Sequence, residues 1–236
     1  MHSNRMPQYA IDGATRRKGR VHSLDGLDPA RTALVVIDMQ NVFLAEGAPV
    51  EVPIAREIVP NVNRLADAVR RSGGIVAWVL MTHGPEDRKT WSNFYGNLAA
   101  SGRDDEIYDW LTEGSDGQRL WPEMDARDGD WTILKNRYSA FLPGSSDIAE
   151  RLESAGIDTV LITGTLTNVC CESSARDAMM RNFKVLMVSD GNAAKTDEEH
   201  VATLANMLQI FGDVRGTDEV VAMLEAGAAR TVRAAE

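Results

Sequence analysis

One cysteine stands in a setting that favours reaction. Cys170 follows the apolar run Leu161-Ile-Thr-Gly164, at a point where the pattern predicts that a helix begins. The first turn of a helix has unpaired backbone N–H groups and a partial positive charge, which favour a thiolate and can bind a developing oxyanion. A thiol placed in this way can attack a carbonyl carbon.

Two further segments end in residues that suit such a thiol. Asp38 ends the apolar run that starts at Ala33, and Lys135 ends the run that starts at Trp131. A free thiol is mostly protonated at neutral pH, so a nearby cation and a base that takes its proton would both help. Taken singly, each residue has an ordinary alternative: Cys170 as a small buried residue, Asp38 as a turn cap, Lys135 as a solvated charge.

The length and charge of the chain limit its class. With 236 residues and no linker, it fits one large domain, predicted as 31–236, after an extension over 1–30. The extension is basic and lacks the apolar centre of a secretory signal, so we expect a mobile or surface-draped arm. The net charge of −10 argues against nucleic acid or an anionic membrane as partner and favours a small-molecule substrate.

The cysteines and apolar runs indicate a compartment. The chain has two cysteines, adjacent in sequence, which cannot build a disulfide framework. No run approaches the roughly 20 apolar residues of a membrane span. We therefore expect a reducing, cytoplasmic setting.

Short apolar runs alternate with segments of helical period, which is typical of an α/β fold with a parallel sheet. Six strands are predicted, over Thr32–Asp38, Ile75–Met81, Trp131–Lys135, Thr159–Thr163, Lys184–Val188 and Asp213–Arg215. Helices are predicted around 58–69, 147–155, 201–211 and 217–226. Ligands of open parallel sheets bind outside the carboxyl ends of the strands, so the three reactive residues should meet at one edge.

A polar segment interrupts this alternation between residues 84 and 130. It is acidic and contains Gly, Asp and Trp, with one short helix predicted over Glu106–Leu111. Long excursions of this kind usually cover a functional site. We expect the segment to fold over the reactive residues, and either this segment or a neighbouring subunit could close the pocket.

Three motifs in this order resemble those of the isochorismatase-like cysteine hydrolases. They are Val-Val-Ile-Asp38-Met-Gln, Lys135-Asn-Arg-Tyr-Ser-Ala-Phe and Gly164-Thr-Leu-Thr-Asn-Val-Cys170, and Trp-Pro-Glu-Met before the second is also similar. The resemblance covers roughly residues 30–216. It implies a three-layer α/β/α fold with a six-stranded, mainly parallel, Rossmann-like sheet.

The same resemblance assigns roles at the site. It implies a catalytic triad of Asp38, Lys135 and Cys170, an oxyanion hole formed by the N–H groups of Leu166 and Cys170, and a cis peptide between Thr165 and Leu166. The motifs look most like those of ureidoacrylate and N-carbamoylsarcosine amidohydrolases. They imply C–N cleavage through a thioester. Hydrolysis of an isochorismate-like vinyl ether and a noncatalytic binding role are the alternatives.

Six residues near the motifs are candidate substrate contacts. Two amides could pair with substrate amide groups and four aromatic residues could wall a cavity. They are Gln40, Asn168, Phe43, Trp91, Tyr138 and Phe141. For each, ordinary packing is the alternative.

The remaining predictions concern metals, cofactors and assembly. Nicotinamidases of this superfamily bind a metal through Asp-x-His, but Met81-Thr-His83 lacks that Asp, so we expect neither a metal nor a cofactor. His83 could instead line the pocket or lie in a surface loop. Cys171, rotated about 100° from Cys170 on a helix, is predicted to pack. The resemblance also implies a homo-oligomer, either a dimer or a tetramer.

Overall fold

The structure is a computed structural model that describes residues 1–3, 5–98 and 103–235. Parts of three predicted regions lie outside the described residues: position 4 of the extension, positions 99–102 of the segment between 84 and 130, and position 236 at the end of the domain.

The described residues form one six-stranded sheet in which every strand pairing is parallel. The strands are β1 (Thr32–Ile37), β2 (Ile75–Met81), β3 (Trp131–Lys135), β4 (Thr159–Thr165), β5 (Lys184–Ala193) and β6 (Asp213–Arg215). Their order across the sheet is β3-β2-β1-β4-β5-β6. The predicted fold class is therefore confirmed.

Helices cover both faces of the sheet. The α-helices are α1 (Gln8–Lys18), α2 (Asn41–Leu44), α3 (Ala55–Arg71), α4 (Asp87–Thr90), α5 (Asp104–Leu111), α6 (Ile148–Ser154), α7 (Glu172–Met180), α8 (Asp197–Asn206) and α9 (Thr217–Ala235). A 3-10 turn spans Pro29–Arg31, and π-helical turns span Phe94–Leu98, Thr167–Cys171 and Met207–Phe211.

The side chains of β1 show how the layers form. Every residue of this central strand is buried, and successive side chains point to opposite faces. Leu34 and Val36 enter one apolar cluster, which includes the buried face of α3. Val35 and Ile37 enter a second cluster, which includes residues of α6, α7 and α8. The sheet therefore lies between two layers of helices.

Two strands run longer than their apolar patterns predict. β4 continues through Gly164 to Thr165, and β5 continues through the polar run 189–193. The register between them shifts after Ile162, and pairing resumes with Gly164 opposite Asn192. The extensions carry polar side chains and glycine, so hydrophobicity gave no sign of them.

The extension over 1–30 contains a helix, although the sequence predicts a mobile or draped arm. Helix α1 packs against the π-helical turn 207–211 through the small buried residues Ala10 and Ala14. The Lys18 ammonium donates to the carbonyl of Leu208 at 2.7 Å. A helix that docks through alanines has little apolar signal, which explains why the pattern did not reveal it.

No helix among the described residues combines the length and the apolar character that a bilayer crossing requires.

Candidate active site

The three reactive residues meet at the carboxyl edge of the sheet. Asp38 follows β1, Lys135 ends β3, and Cys170 lies five residues after β4. The strand order reverses between β1 and β4, which is the place where open α/β sheets bind ligands. All three side chains are buried, at 3% exposure or less.

The backbone holds Asp38 in an uncommon conformation. Its φ is 54°, in the left-handed region, which Asp tolerates better than most residues. The Asp38 N–H donates to the carbonyl of Val79 at 2.9 Å, and its Oδ1 accepts from the N–H of Met81 at 3.0 Å. The neighbouring strand β2 thereby fixes the direction of the carboxylate.

Gly164 allows the ends of β1 and β4 to come together. Its φ is 117°, and a Cβ at this position would overlap the carbonyl oxygen of Ile37. One residue later, the Thr165 hydroxyl donates to the carbonyl of Asp38 at 2.9 Å. The peptide bond from Thr165 to Leu166 is cis. These contacts bring the segment that carries Cys170 next to Asp38.

The two neighbouring cysteines point to different environments. The Sγ of Cys170 lies 3.6 Å from the Lys135 ammonium and lines a cavity. The Cys171 thiol contacts the carbonyl of Thr163 at 3.8 Å and is fully buried in the core. The structure thus brings Cys170, and not Cys171, to the other reactive residues.

Lys135 is a buried ammonium with several partners. Its Nζ lies 2.8 Å from Oδ2 of Asp38 and also contacts Sδ of Met81 at 3.3 Å and the carbonyl of Arg137 at 3.1 Å. Burial alone would lower the pKa of Lys135, but Asp38 beside it raises that pKa above its ordinary value. The side chain is therefore a fixed positive charge.

Burial sets the protonation of the other two groups. It raises the pKa of the Asp38 carboxyl, which Lys135 and the Met81 N–H only partly counteract. It also raises the pKa of the Cys170 thiol, with a further increase from Asp38 that outweighs the effect of Lys135. The sequence predicts a helix start that favours thiolate, whereas the resting group is a thiol beside a strengthened base.

A cavity of about 400 Å³ opens beside Cys170. Four apolar residues of the cavity wall belong to the segment between 84 and 130: Phe94, Leu98, Ile107 and Leu111. The segment therefore covers this side of the site. Asp87 ties this segment to the loop after β3, because its Oδ1 accepts from Asn136 at 2.9 Å and from Arg137 at 3.2 Å.

Three of the six predicted substrate contacts line the cavity: Phe43, Tyr138 and Asn168. Trp91 lies behind the wall, stacked on Phe94 with ring centroids 4.2 Å apart and edge-on to Tyr138 at 5.1 Å.

The other two predicted contacts do not reach the cavity. Gln40 is fully buried, its amide donates to the carbonyls of Met81 and Gln118, and its Oε1 accepts from the N–H of Met81. Phe141 packs edge-on against Phe183 in the core. Both predictions are corrected, because the Gln40 amide is hydrogen-bonded to the backbone and the Phe141 ring packs in the core.

His83 is a cavity residue and not a surface-loop residue. It is 2% exposed, and its Nδ1 lies 3.0 Å from the hydroxyl of Tyr95. Burial lowers the pKa of His83 to about 4, so the ring is neutral at pH 7. Lys195 and Glu199 also line the cavity, although no motif or spacing in the sequence marks them.

Paired spacing could have revealed some of the wall. Phe94 and Leu98 are four residues apart, and so are Ile107 and Leu111, within an otherwise polar segment. Apolar residues at this spacing share one face of a helical turn.

Across 1–3, 5–98 and 103–235, no group of three or more His, Cys, Asp or Glu side chains is arranged to hold a metal ion.

The fold and site define a class of α/β proteins whose reactive groups lie at the carboxyl ends of parallel strands. The family model described as the isochorismatase domain matches residues 32–219. The chain is 30% identical to the N-carbamoylsarcosine amidase of an Arthrobacter species, over 83% of this chain and 72% of that protein. It is 33% identical to a probable inactive nicotinamidase of Arabidopsis thaliana, over 76% and 89%.

The fold of this chain is also similar to that of a solved structure. A cysteine hydrolase from Pseudomonas syringae pv. phaseolicola aligns with a TM-score of 0.73 and 26% identity, over 86% of this chain and 96% of that one. The chain therefore belongs to the isochorismatase family and is a hydrolase of the isochorismatase-like group.

Proposed function

We propose that the protein hydrolyses a C–N bond of a small amide, ureido or carbamoyl substrate, with Cys170 as nucleophile and without a metal. The observation that carries this proposal is the contact of the Cys170 thiol with the buried pair of Asp38 and Lys135 at the wall of a cavity. The similarity to N-carbamoylsarcosine amidase supports the reaction class.

The first half of the reaction forms a thioester. Asp38 pairs with the Lys135 ammonium that contacts the Cys170 thiol, and burial raises the pKa of Asp38, which makes it a stronger base than an ordinary carboxylate. The thiol proton moves to Asp38 as the sulfur attacks the carbonyl carbon. When the tetrahedral intermediate collapses, the C–N bond breaks and Asp38 returns the proton to the leaving nitrogen, which departs as ammonia or an amine.

The second half consumes one water molecule. Asp38 accepts a proton from water, the hydroxide attacks the thioester carbon, and the C–S bond breaks. The sulfur recovers its proton and the carboxylic acid leaves, so one amide and one water give one acid and one amine. Lys135 stays protonated throughout and stabilises the negative charge on sulfur and on Asp38.

The oxyanion of each tetrahedral intermediate needs hydrogen-bond donors. We assign this role to the N–H groups of Leu166, which precedes the first turn after β4, and of Cys170, which lies within that turn. Loss of one such donor typically lowers turnover by about 10²–10³. The side-chain Oδ1 of Asn168 is buried without a partner among the described residues and lines the cavity, so it can accept from the substrate's N–H.

Ammonia release tests the proposal. The wild type, Cys170→Ala and Cys171→Ala are incubated in chelator-treated buffer with primary amides, ureido acids and carbamoyl amines. We expect ammonia from the wild type and from Cys171→Ala, and a loss of about 10³-fold or more in Cys170→Ala. Cys171→Ala is the matched control because it also removes a buried thiol from the same turn.

Three results would contradict the proposal. Pyruvate release from a vinyl ether that survives in Cys170→Ala would favour ether hydrolysis. Activity that requires an added metal would contradict the metal-free mechanism. Absence of ammonia from every substrate, with Cys170 inert to alkylation, would favour a noncatalytic role.

A further inference from the structure

The amide of Gln40 binds both backbone groups of the last residue of β2. Its Nε2 donates to the carbonyl of Met81 at 2.9 Å, and its Oε1 accepts from the N–H of Met81 at 2.8 Å. A third hydrogen bond, at 2.7 Å, joins Nε2 to the carbonyl of Gln118. Gln40 also precedes α2, but its side chain makes no capping bond to that helix. The side chain is therefore directed to the strand end that holds Asp38.

The N–H of Met81 serves two acceptors. It donates to Oε1 of Gln40 at 2.8 Å and to Oδ1 of Asp38 at 3.0 Å. Because one proton cannot align with both oxygens at once, each of the two bonds is weaker than an unshared one. The other carboxylate oxygen of Asp38 lies 2.8 Å from the ammonium of Lys135. Gln40 thus competes for an N–H that stabilises the charged form of Asp38.

This competition changes the strength of Asp38 as a base. A hydrogen bond donated to a carboxylate stabilises its ionised form and lowers its pKa. Burial raises the pKa of Asp38, and the Met81 N–H acts in the opposite direction. Because Gln40 takes part of that N–H, Asp38 keeps more of the basicity that burial gives it.

The contact between residues 39–42 and the segment between 84 and 130 does not depend on the Gln40 side chain. The N–H of Asn41 donates to the carbonyl of Arg119 at 3.0 Å. The N–H of Trp121 donates to the carbonyl of Met39 at 2.8 Å. These main-chain bonds hold the two stretches together, so a structural role alone does not explain why the Gln40 amide is placed on Met81.

The position of Met81 is also fixed by the sheet. Met81 pairs with Lys135 in the register between β2 and β3, and the N–H of Thr82 donates to the carbonyl of Lys135 at 2.8 Å. Without the Gln40 amide, the Met81 N–H would remain in place. It would then be wholly available to Asp38.

We propose that Gln40 is a positioning residue for the reaction, which shares the N–H of Met81 with Asp38 and so keeps Asp38 a stronger base than an unshared hydrogen bond would allow. The inference rests on the proposed function, in which Asp38 accepts the thiol proton. Gln40 lies outside the residues that line the cavity, so it acts through Met81 and not on the substrate.

The pH profile of kcat/KM, measured by ammonia release, tests this role. The titratable groups around Asp38 come from two elements: Lys135 of β3, and Cys170 and Cys171 of the turn 167–171. The acid limb of the profile belongs to this coupled set, which substitutions at position 40 leave intact.

Gln40→Met keeps the length of the side chain and removes its hydrogen bonds. The acid limb should move to lower pH by about 0.5–1 pH unit, because the Met81 N–H then binds Asp38 alone. The plateau value of kcat should fall by about 3–10-fold, because Asp38 is then a weaker base. An acid limb that stays in place would overturn the proposed role, even if kcat falls.

Gln40→Glu distinguishes sharing of the N–H from structural support. It keeps an oxygen that accepts from Met81, and its charge, when ionised, opposes ionisation of Asp38. Its acid limb should lie at or above the wild-type position, whereas that of Gln40→Met should lie below it. Shifts to lower pH in both variants would show a general disturbance of the site and would overturn the inference.

Asn63→Leu is the matched control for the loss of an amide that binds the backbone. The Asn63 amide donates to the carbonyl of Glu123 at 2.8 Å and accepts from the N–H of Asp125 at 2.9 Å. It thus joins α3 to the segment between 84 and 130 away from Met81. Its acid limb and kcat should equal those of the wild type, and a shift equal to that of Gln40→Met would overturn the inference.

Alkylation of Cys170 by iodoacetamide separates a failure of this inference from a failure of the proposed function. The reaction needs no substrate, and it is measured in the Cys171→Ala background, where one thiol remains. At about pH 6, Gln40→Met should slow alkylation by about 3–10-fold, because a weaker base leaves less thiolate.

The two measurements together give separate outcomes. If the wild type releases no ammonia, the proposed function fails, but slower alkylation in Gln40→Met and not in Asn63→Leu still supports the role of Gln40. If ammonia is released, and Gln40→Met equals the wild type in both acid limb and alkylation rate, the inference is overturned while amide hydrolysis stands.

Discussion

The strand ends and the covering segment of this protein are built differently. The strand ends hold the polar side chains of Asp38 and Lys135 with contacts to neighbouring strands, and every residue of β1 is buried. The covering segment over 84–130 holds aromatic and aliphatic side chains on short helical turns. Under the proposed function, the strand ends carry the reaction chemistry and the covering segment contributes to the choice of substrate.

The strongest test of this separation removes a charge at the strand ends. Lys135→Met keeps the length of the side chain but leaves the Asp38 carboxyl buried without its cation, which raises the pKa of Asp38 further. We expect kcat for the amide to fall by about 10³-fold or more, with only a small change in KM. Steady-state ammonia release measures both constants.

Lys184→Met is the matched control, because Lys184 begins β5 but is exposed and pairs with Asp158 at the surface. Its kinetics should equal those of the wild type. An equal loss in both variants would show that lysine charge matters generally and not at this site.

A second test concerns the packing of the strand ends. Gly164→Ala introduces a Cβ that overlaps the Ile37 carbonyl, at a φ of 117° that favours glycine. We expect the free energy of unfolding to drop by about 3 kcal/mol or more, measured by urea denaturation.

Gly144→Ala separates backbone strain from overlap. Its φ is 83°, but nothing lies within 4 Å of the new Cβ. Its cost should be only about 1–2 kcal/mol. If the two variants lose equal stability, close approach of β1 and β4 is not the reason for Gly164.

The pH dependence of stability compares the two regions through their histidines. His83 lies beside the covering segment, and burial lowers its pKa to about 4. His200 contacts Thr167 in the turn that carries Cys170, and burial together with the nearby His2 also lowers its pKa to about 4. Around His83, Lys135, Arg137 and Arg88 also lower the pKa, whereas Asp87 raises it.

The unfolded chain binds protons at these histidines below its ordinary pKa of about 6.5, while the folded protein does not until about pH 4. Stability from this source is complete above pH 6.5 and decreases as the pH falls toward 4. Each histidine should account for a loss of about 1–2 kcal/mol between pH 7 and pH 5. The free energy of unfolding, measured by denaturant titration at several pH values, should fall less steeply with decreasing pH in His83→Gln than in the wild type. An identical dependence on pH in both proteins would refute the contribution of His83.

The smallest expected effect lies in the covering segment. Phe94→Ala removes a ring that lines the cavity and stacks on Trp91. We expect KM to rise by about 10-fold while kcat stays within about 2-fold, because apolar contact binds substrate and transition state alike. Phe211→Ala, a partly buried ring under Arg176 away from the cavity, should leave KM unchanged. A large fall in kcat for Phe94→Ala would contradict the separation.

The sequence predicts the strand ends better than the cover. The bounds of β2, β3 and β6 agree with the predicted ranges, and Asp38, Lys135 and Cys170 converge as expected. Continuous hydrophobic runs identify buried parallel strands, and the topology then brings their ends together.

Hydrophobic runs do not reveal contacts between segments that are distant in sequence. Gln40 looks like a substrate contact by position, yet its amide is bound by the carbonyls of Met81 and Gln118, which no local spacing reveals. The partnership of His83 with Tyr95 also depends on how the cover folds back over the sheet. These side-chain choices are set by tertiary packing and not by periodicity.

The cover is one continuous insertion between two paired strands. It follows the end of β2 at Met81 and precedes the start of β3 at Trp131, which stands opposite Ala77, so it connects the two edges of one parallel strand pair. The entropy of closing a loop grows only logarithmically with its length, and doubling the length costs about 0.6 kcal/mol. A covering segment of different length or composition could therefore replace this one at little cost to folding. Substrate specificity could then change through the replacement of one continuous segment, with the sheet left as it is.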